Sequence, residues 1–381
     1  MKELIDYIIT WLCYGDAEAA KRVAYTADEK ALKTHDVIIV PNGHLGKDLV
    51  IPELKRPEVE QPAKNKAIIR TDIVYAVFFF TSRAEEIVNT QRDEHGRFAA
   101  RFSMLHQKSR LQIPRLDEYA RLVLKQLLLP LPTSGFGHIY LTHDIDSITQ
   151  YRHLRGFLGG IKRGEFTQAW DAIRDIHYDP WYTFPWLVDQ DAQVPNAETL
   201  YFVKHTHGFG LDHPQYCLWG HDYRNLKHFL RWNGAKLGIH SSYYGSLPHA
   251  IFPLHRSHYL RCSIDQMQRV ADSGFTDDFT MGFADEAGFR LQTTRAIRWI
   301  NPKTMQLTNL TLHPLTIMDC TLNNENYMNL TEDEAYFLSE RLIEKVKLHH
   351  GDLCLLWHNS SFTPDNYHYS LYPQILKYLA K

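Results

Sequence analysis

The chain has 381 residues, 44% hydrophobic, 13% aromatic and 23% charged, a balance that excludes long disorder, collagen and coiled coil and suits packed domains of about 150 residues each. Forty-two basic against 44 acidic side chains leave a net charge of -2, so the overall basic field of a nucleic-acid binder or membrane-surface protein is missing, though a local basic patch is compatible with it. The cysteines, Cys13, Cys217, Cys262, Cys320 and Cys354, are odd in number, widely spaced and without a CxxC pair, which argues against a disulfide framework or zinc knuckle and for a reducing compartment.

The opening MKELIDYIITWLCYG carries Glu3 and Asp6 within its apolar stretch and reads as an amphipathic helix, not a signal peptide. DVIIVP, residues 36–41, is a short strand stopped by Pro-Asn-Gly, and the Pro-, Lys- and Glu-rich residues 52–66 read as a surface loop. Ile73 to Phe80 is the longest apolar run; it is strand or helix by periodicity, and far shorter than the ~18 residues of a membrane span. A soluble, cytoplasmic protein is therefore expected, in which the NxS/T triplets at Asn309, Asn329 and Asn359 carry no glycan. Leu116 to Leu129 has helical spacing, and LPLPTSGFG, residues 129–137, is the best linker.

Beyond the linker, strands and helices alternate. HIYLT (138–142), TLYFV (199–203), KLGI (236–239), Leu315 to Met318 and LCLLW (353–357) read as strands. Phe166 to Ile176, Asp222 to Trp232, Ser263 to Asp272 and Thr331 to Leu348 read as helices, the last two opened by the capping-box pairs Ser263/Gln266 and Thr331/Glu334. His349 and His350 then fall at an exposed helix C-terminus. Such alternation means a parallel sheet, open or closed into a barrel.

The chemistry sits just past the strands. HIYLT runs into His143-Asp144-Ile145-Asp146, KLGI into His240, Leu315–Met318 into Asp319, and LCLLW into His358. In α/β folds the C-terminal strand ends carry the active site. Asp144 and Asp146, two apart on extended chain, point to one side. Two such carboxylates repel unless a cation lies between them or one is protonated. Singly, each of these residues reads as an ordinary turn residue; together, on one rim, they point to a metal-assisted or acid/base site. The 22 histidines alone prove neither role. No GxxxxGK[ST], GxSxG or HExxH occurs, and Gly208 and Gly210 lack the third glycine of a dinucleotide fingerprint.

THDID, GIHSS, DDFTMGFADEAGFR, IMDCTL and LWHNSSF, in that order, resemble the polysaccharide deacetylases of the NodB-homology type, carbohydrate esterase family four. FFFTSRAEEIV and RDEHGRF resemble the poorly characterised α/β domain that precedes the deacetylase-like part in a bacterial two-domain subgroup. The resemblance implies an irregular, incomplete (β/α) barrel over residues 137–381 after a smaller α/β domain over residues 1–130. It implies a divalent metal, usually zinc, on Asp146 and His240, with Asp144 as catalytic base. Arg290 would orient that base, His358 would be the general acid, and Asp319 would fix its tautomer. The usual second motif, HSxxH, has a further histidine where Tyr244 stands here; His258, in HRSHYLR, is the candidate third ligand, ahead of His249 and His255.

The expected activity is removal of N-acetyl groups from an N-acetylated glycan, with no nucleic-acid partner and no membrane span. Two other readings use the same residues. One is a carbohydrate-binding relative that lost catalysis, with Trp181, Trp186, Trp219 and Trp232 as stacking platforms. The other is hydrolysis of a non-sugar amide or ester, since fold similarity does not select substrate.

Overall fold

Short apolar runs broken by charged and turn residues make this a chain of short strands. The computed structural model describes residues 1–204, 212, 215–243, 247 and 252–381; Gly208, Gly210, Tyr244 and His249 lie outside the described residues. The first strands are β1 (Val23–Tyr25), β2 (Val37–Ile39), β3 (Val59–Ala63) and β4 (Lys66–Ile69), in the order β1-β2-β4-β3. All pair in parallel except the antiparallel edge β3. That edge lies within the stretch expected to be loop: VEQPA is almost wholly exposed, so no apolar face marks it.

The second sheet has nine strands: β5 (Ile139–Ile145), β6 (Ala197–Lys204), β7 (Lys236–Ser241), β8 (Leu254–Ser257), β9 (Asp277–Met281), β10 (Ile297–Asn301), β11 (Gln306–Pro314), β12 (Ile317–Met318) and β13 (Leu353–Leu356). Their order is β10-β11-β9-β8-β7-β6-β5-β13-β12. β10 is an antiparallel addition to β11; the other pairs are parallel. The sheet curls until its ends share one stretch of chain. Only Leu315 and Thr316 separate β11 from β12; Leu315 N–H donates to Met281 O of β9, and Thr316 N–H donates to Cys354 O of β13. Gln306–Met318 is thus one stave with β9 on one side and β13 on the other.

The interior and exterior follow from alternation along each strand. In β5, Leu141 packs outward against the helices Glu332–Leu348 and His368–Leu379, while Tyr140 packs inward with Phe202, Phe279 and Leu356. β8 and β9 escape the strand pattern because a buried polar residue interrupts the apolar alternation of each: Arg256 faces inward in β8, and Asp278 of β9, next to the inward Phe279, faces outward onto His255. The helix Ile73–Thr81 resolves the ambiguity of its run. All nine residues are buried, so no polar face exists to set a period. It belongs to a core that continues through Trp299 and Leu312 of β10 and β11.

Capping matches the sequence at Thr331, where the reciprocal box is complete. At Ser263 only half forms: its hydroxyl accepts from Gln266 N–H, and Gln266 Oε1 has no partner. The helix Glu332–Leu348 ends at His349 and His350, but only His350 is exposed. His349 is 2% accessible, and Tyr14, just past the N-terminal helix Lys2–Leu12, donates its hydroxyl to the His349 carbonyl.

Burial pushes the His349 pKa down to about 4. The unfolded chain takes up that proton near pH 6.5, so stability is complete above about 6.5 and is lost as pH falls toward 4. Urea unfolding is expected to show this loss, up to about 3 kcal/mol from this group. His349→Gln should flatten the slope between pH 7 and 4.5.

Candidate functional site

Asp144 ends the inward face of β5 and Asp146 follows it by two residues. His240 lies near the end of β7, and His258 follows Arg256 by two residues, just past β8. Adjacent parallel staves bring these ends together, and donor atoms of Asp146, His240 and His258 lie within 4.8 Å of one another. Asp146 Oδ1 is 3.4 Å from His240 Nε2 and 3.2 Å from His258 Nε2. His240 Nε2 is also 3.5 Å from Asp144 Oδ2.

The outer contacts fix which nitrogens face inward. His240 Nδ1 donates to Arg256 O at 3.2 Å, and His258 Nδ1 donates to Asp212 Oδ1 at 2.7 Å. Both Nε2 atoms therefore turn to Asp146, as in metal sites whose histidines are held by a second partner. Among the described residues, Asp146 Oδ1 and His240 Nε2 are buried and make no hydrogen bond. Such orphaned atoms are rare and need a reason; a shared cation between these donors supplies it. One carboxylate and two imidazoles are a catalytic zinc donor set that leaves positions open.

Burial opposes the charge on Asp146, but His258, His240 and Lys204 outweigh it and hold the carboxyl well below the ordinary range. Burial holds His240 below its usual value, the neutral form a ligand needs. At His258, burial is outweighed by Asp146 and Asp212, which raise it. Lys204, the last residue of β6, is 2% accessible and puts Nζ 3.3 Å from Asp146 Oδ1. This ammonium is a positive charge already beside the candidate metal group, and it is not among the site residues read from the sequence. Its signal was a lysine closing the otherwise apolar run LYFVK.

Arg290 requires a correction. Its guanidinium donates to Glu86 Oε1 at 2.7 Å and to Gly282 O at 2.8 Å. The arginine on Asp144 is Arg256, fully buried, with Nη1 2.9 Å from Asp144 Oδ1 and 2.8 Å from Thr142 Oγ1. Phe202 lies under it at 4.4 Å, and Nε donates to Phe279 O. Arg256 and His258 share one side of the chain by the same two-residue step as the aspartates. That spacing was the available signal.

Arg290 instead joins a buried knot that grips the turn after His258. Glu86 also takes Arg83 through both oxygens, and Arg83 donates to Cys262 O. Arg261 donates to His95 O and to Asp212 Oδ2. His95 stacks on Tyr259, with centroids 5.4 Å apart. Tyr259 and Leu260 have φ of 59° and 52°, a strained left-handed pair held by its surroundings.

Opposite, His358 Nε2 lies 3.8 Å from Asp146 Oδ2 and His358 Nδ1 donates to Asp319 Oδ1 at 2.9 Å. Burial is outweighed by Asp319 and Cys320, so His358 sits well above its usual pKa and carries a proton. Asp319, Cys320 and His358 also lie within 4.8 Å of one another. Asp319, however, already accepts from Cys320 N–H, His358 N–H, His358 Nδ1 and Ser361 Oγ, which leaves no lone pair free for an ion. His255 is spent on Asp278 and Ser241. Trp219 and Trp232 are 86% and 90% exposed, Trp186 stacks on Tyr369, and Trp181 is half-buried.

Residues 5–131 match the model of a family of unknown function, DUF7033. No curated protein matches the chain. Among solved structures, it is similar to a presumed polysaccharide deacetylase of Mycobacterium smegmatis, at 12% identity and a TM-score of 0.42, over 66% of this chain and 88% of that one. That likeness is too distant to assign a function.

Arg256→Met leaves the Asp144 carboxylate buried without its partner. A loss of about 3–5 kcal/mol in chemical denaturation is expected, with Arg256→Lys falling between the two.

Proposed function

We propose that the chain is a metal-dependent hydrolase that removes N-acetyl groups from a carbohydrate. The observation that carries this is the convergence of Asp146, His240 and His258 beside an arginine-held Asp144 and opposite the His358–Asp319 pair. A divalent ion on Asp146, His240 and His258, zinc by donor type, would supply Lewis acidity toward an acyl oxygen and the attacking water. Arg256 occupies Asp144 Oδ1, which orients the base and leaves Oδ2 facing the centre. Asp144 takes the proton of the water as its oxygen bonds to the acyl carbon. His358 gives its proton to the nitrogen as the C–N bond breaks, and Asp319 holds that imidazolium by Nδ1. Acetate and a free amine result. The same groups suit a non-sugar amide or ester, so the glycan comes from the motif resemblance alone.

A second reading is favoured by Lys204. Its ammonium already compensates Asp146, as in a binding module that works without metal, with exposed Trp219 and Trp232 as sugar platforms. Residues 1–130 are proposed as a brace: Arg83, Glu86 and His95 hold the turn that carries His258. All five cysteines are free, which supports the proposed cytoplasmic location. Among the described residues no helix is long and apolar enough to cross a membrane.

The zinc-loaded protein should release acetate from N-acetylated glycans, and Asp144→Asn should lower the rate by about 10²–10⁴. Equal rates in the two proteins overturn the assignment. Calorimetric zinc titration separates the readings. Lys204→Met removes a repelling charge and should tighten binding about tenfold or more; no zinc uptake by either form leaves the metal-free module.

A further inference from the structure

The chain leaves β5 past Asp146 and soon enters a helical hairpin, Leu154–Lys162 and Phe166–Arg174. Its amphipathicity is inverted. Small residues face the protein: Ala169 and Ala172 are fully buried, and a Cβ on Gly160 would fall 2.8 Å from the Tyr151 ring and 3.3 Å from Ala169 Cβ. Large apolar residues face out. Leu154, Leu158 and Ile161 on one helix, and Phe166, Trp170 and Ile173 on the other, are 41–75% exposed. Each trio follows the i, i+4, i+7 spacing of one helical stripe. Phe166 and Trp170 stack on one another, 6.3 Å between centroids and 11° between planes, not on the body.

A surface helix ordinarily turns such a stripe inward, and a patch of this kind marks an interaction site. The charges select the occupant. Arg155, Lys162 and Arg163 are exposed, and the first helix carries no acidic residue. Between 154 and 174 four basic residues face two acidic ones. Glu165 pairs with Arg163 and Tyr151, so among the described residues Arg155 and Lys162 are the uncompensated bases of the first helix. A second copy meeting this face about a twofold axis would set bases against bases. Anionic headgroups over an apolar layer satisfy both features: the bases meet phosphates while leucine, phenylalanine and tryptophan side chains enter the acyl boundary.

We propose that the hairpin 154–174 docks this protein peripherally on an anionic lipid surface. The docked face belongs to the connection that follows β5 past Asp146. The inference stands apart from the proposed hydrolysis.

The test is co-sedimentation of the full chain with vesicles of phosphatidylcholine alone or with phosphatidylglycerol. Binding to the anionic vesicles is expected, with at least about tenfold weaker partitioning for Leu158→Glu and Trp170→Glu. Circular dichroism checks that both variants, at exposed positions, remain folded. Lys162→Glu should weaken binding to anionic vesicles selectively. No binding by the wild type, or equal binding by the variants, overturns the proposal. So does a dimer in sedimentation velocity that Leu158→Glu dissolves, since a second copy then covers the face.

Discussion

Two carboxylates on one strand end, Asp144 and Asp146, set the terms for everything around them. Burying like charges this close is unfavourable unless each has its own positive partner. The fold answers with different partners for each. Asp144 receives a rigid, permanently charged guanidinium from Arg256, clamped by Thr142, Phe202 and Phe279. Asp146 receives imidazoles and the Lys204 ammonium, groups whose charge can change or move aside. One aspartate is thereby fixed in place by a bidentate-capable donor, and the other is held among several weaker contacts. The asymmetry gives two carboxylates of one three-residue stretch different surroundings.

The third donor shows how far that arrangement reaches. His258 stands past a short strand and before two consecutive left-handed residues, Tyr259 and Leu260. Such a turn costs about 1–3 kcal/mol per strained residue, so it is held from outside. Arg83, Glu86, Arg290, Arg261 and His95 do this through buried ion pairs, carbonyl contacts and one ring stack. The N-terminal segment thus contacts the machinery through the geometry of a ligand. Arg290, which motif matching places on the base, is spent in this bracing.

What the residues disclosed in advance follows from the range of each interaction. Alternation is local, so the shared side of Asp144 and Asp146 and the ends of β5, β7 and β13 were readable from short stretches. Capping is local too, and Thr331 with Glu334 forms as the spacing requires. The choice between Arg256 and Arg290 was not readable, because the partner of Arg256 lies 112 positions away and no local pattern encodes that pairing. β8 and β9 escaped for a related reason. A buried polar residue interrupts each, Arg256 on the inner side of β8 and Asp278 on the outer side of β9, so the apolar period that reveals a strand was absent. His349 was misjudged because a helix end exposed by its own sequence meets Tyr14, a residue more than 300 positions earlier.

The shared stave Gln306–Met318 bears on how the molecule comes into being. Ring closure needs it to meet β9 and β13 together, and β13 in turn pairs with β5 across most of the barrel's sequence. A ribosome delivers β13 after the other strands, so until then a nascent chain holds β5 to β11 as an open sheet whose β5 edge lacks its partner. Asp319 and His358 are the residues directly beyond β12 and two beyond β13. Closure of the ring and placement of the Asp319–His358 pair therefore arrive at the same late moment of synthesis.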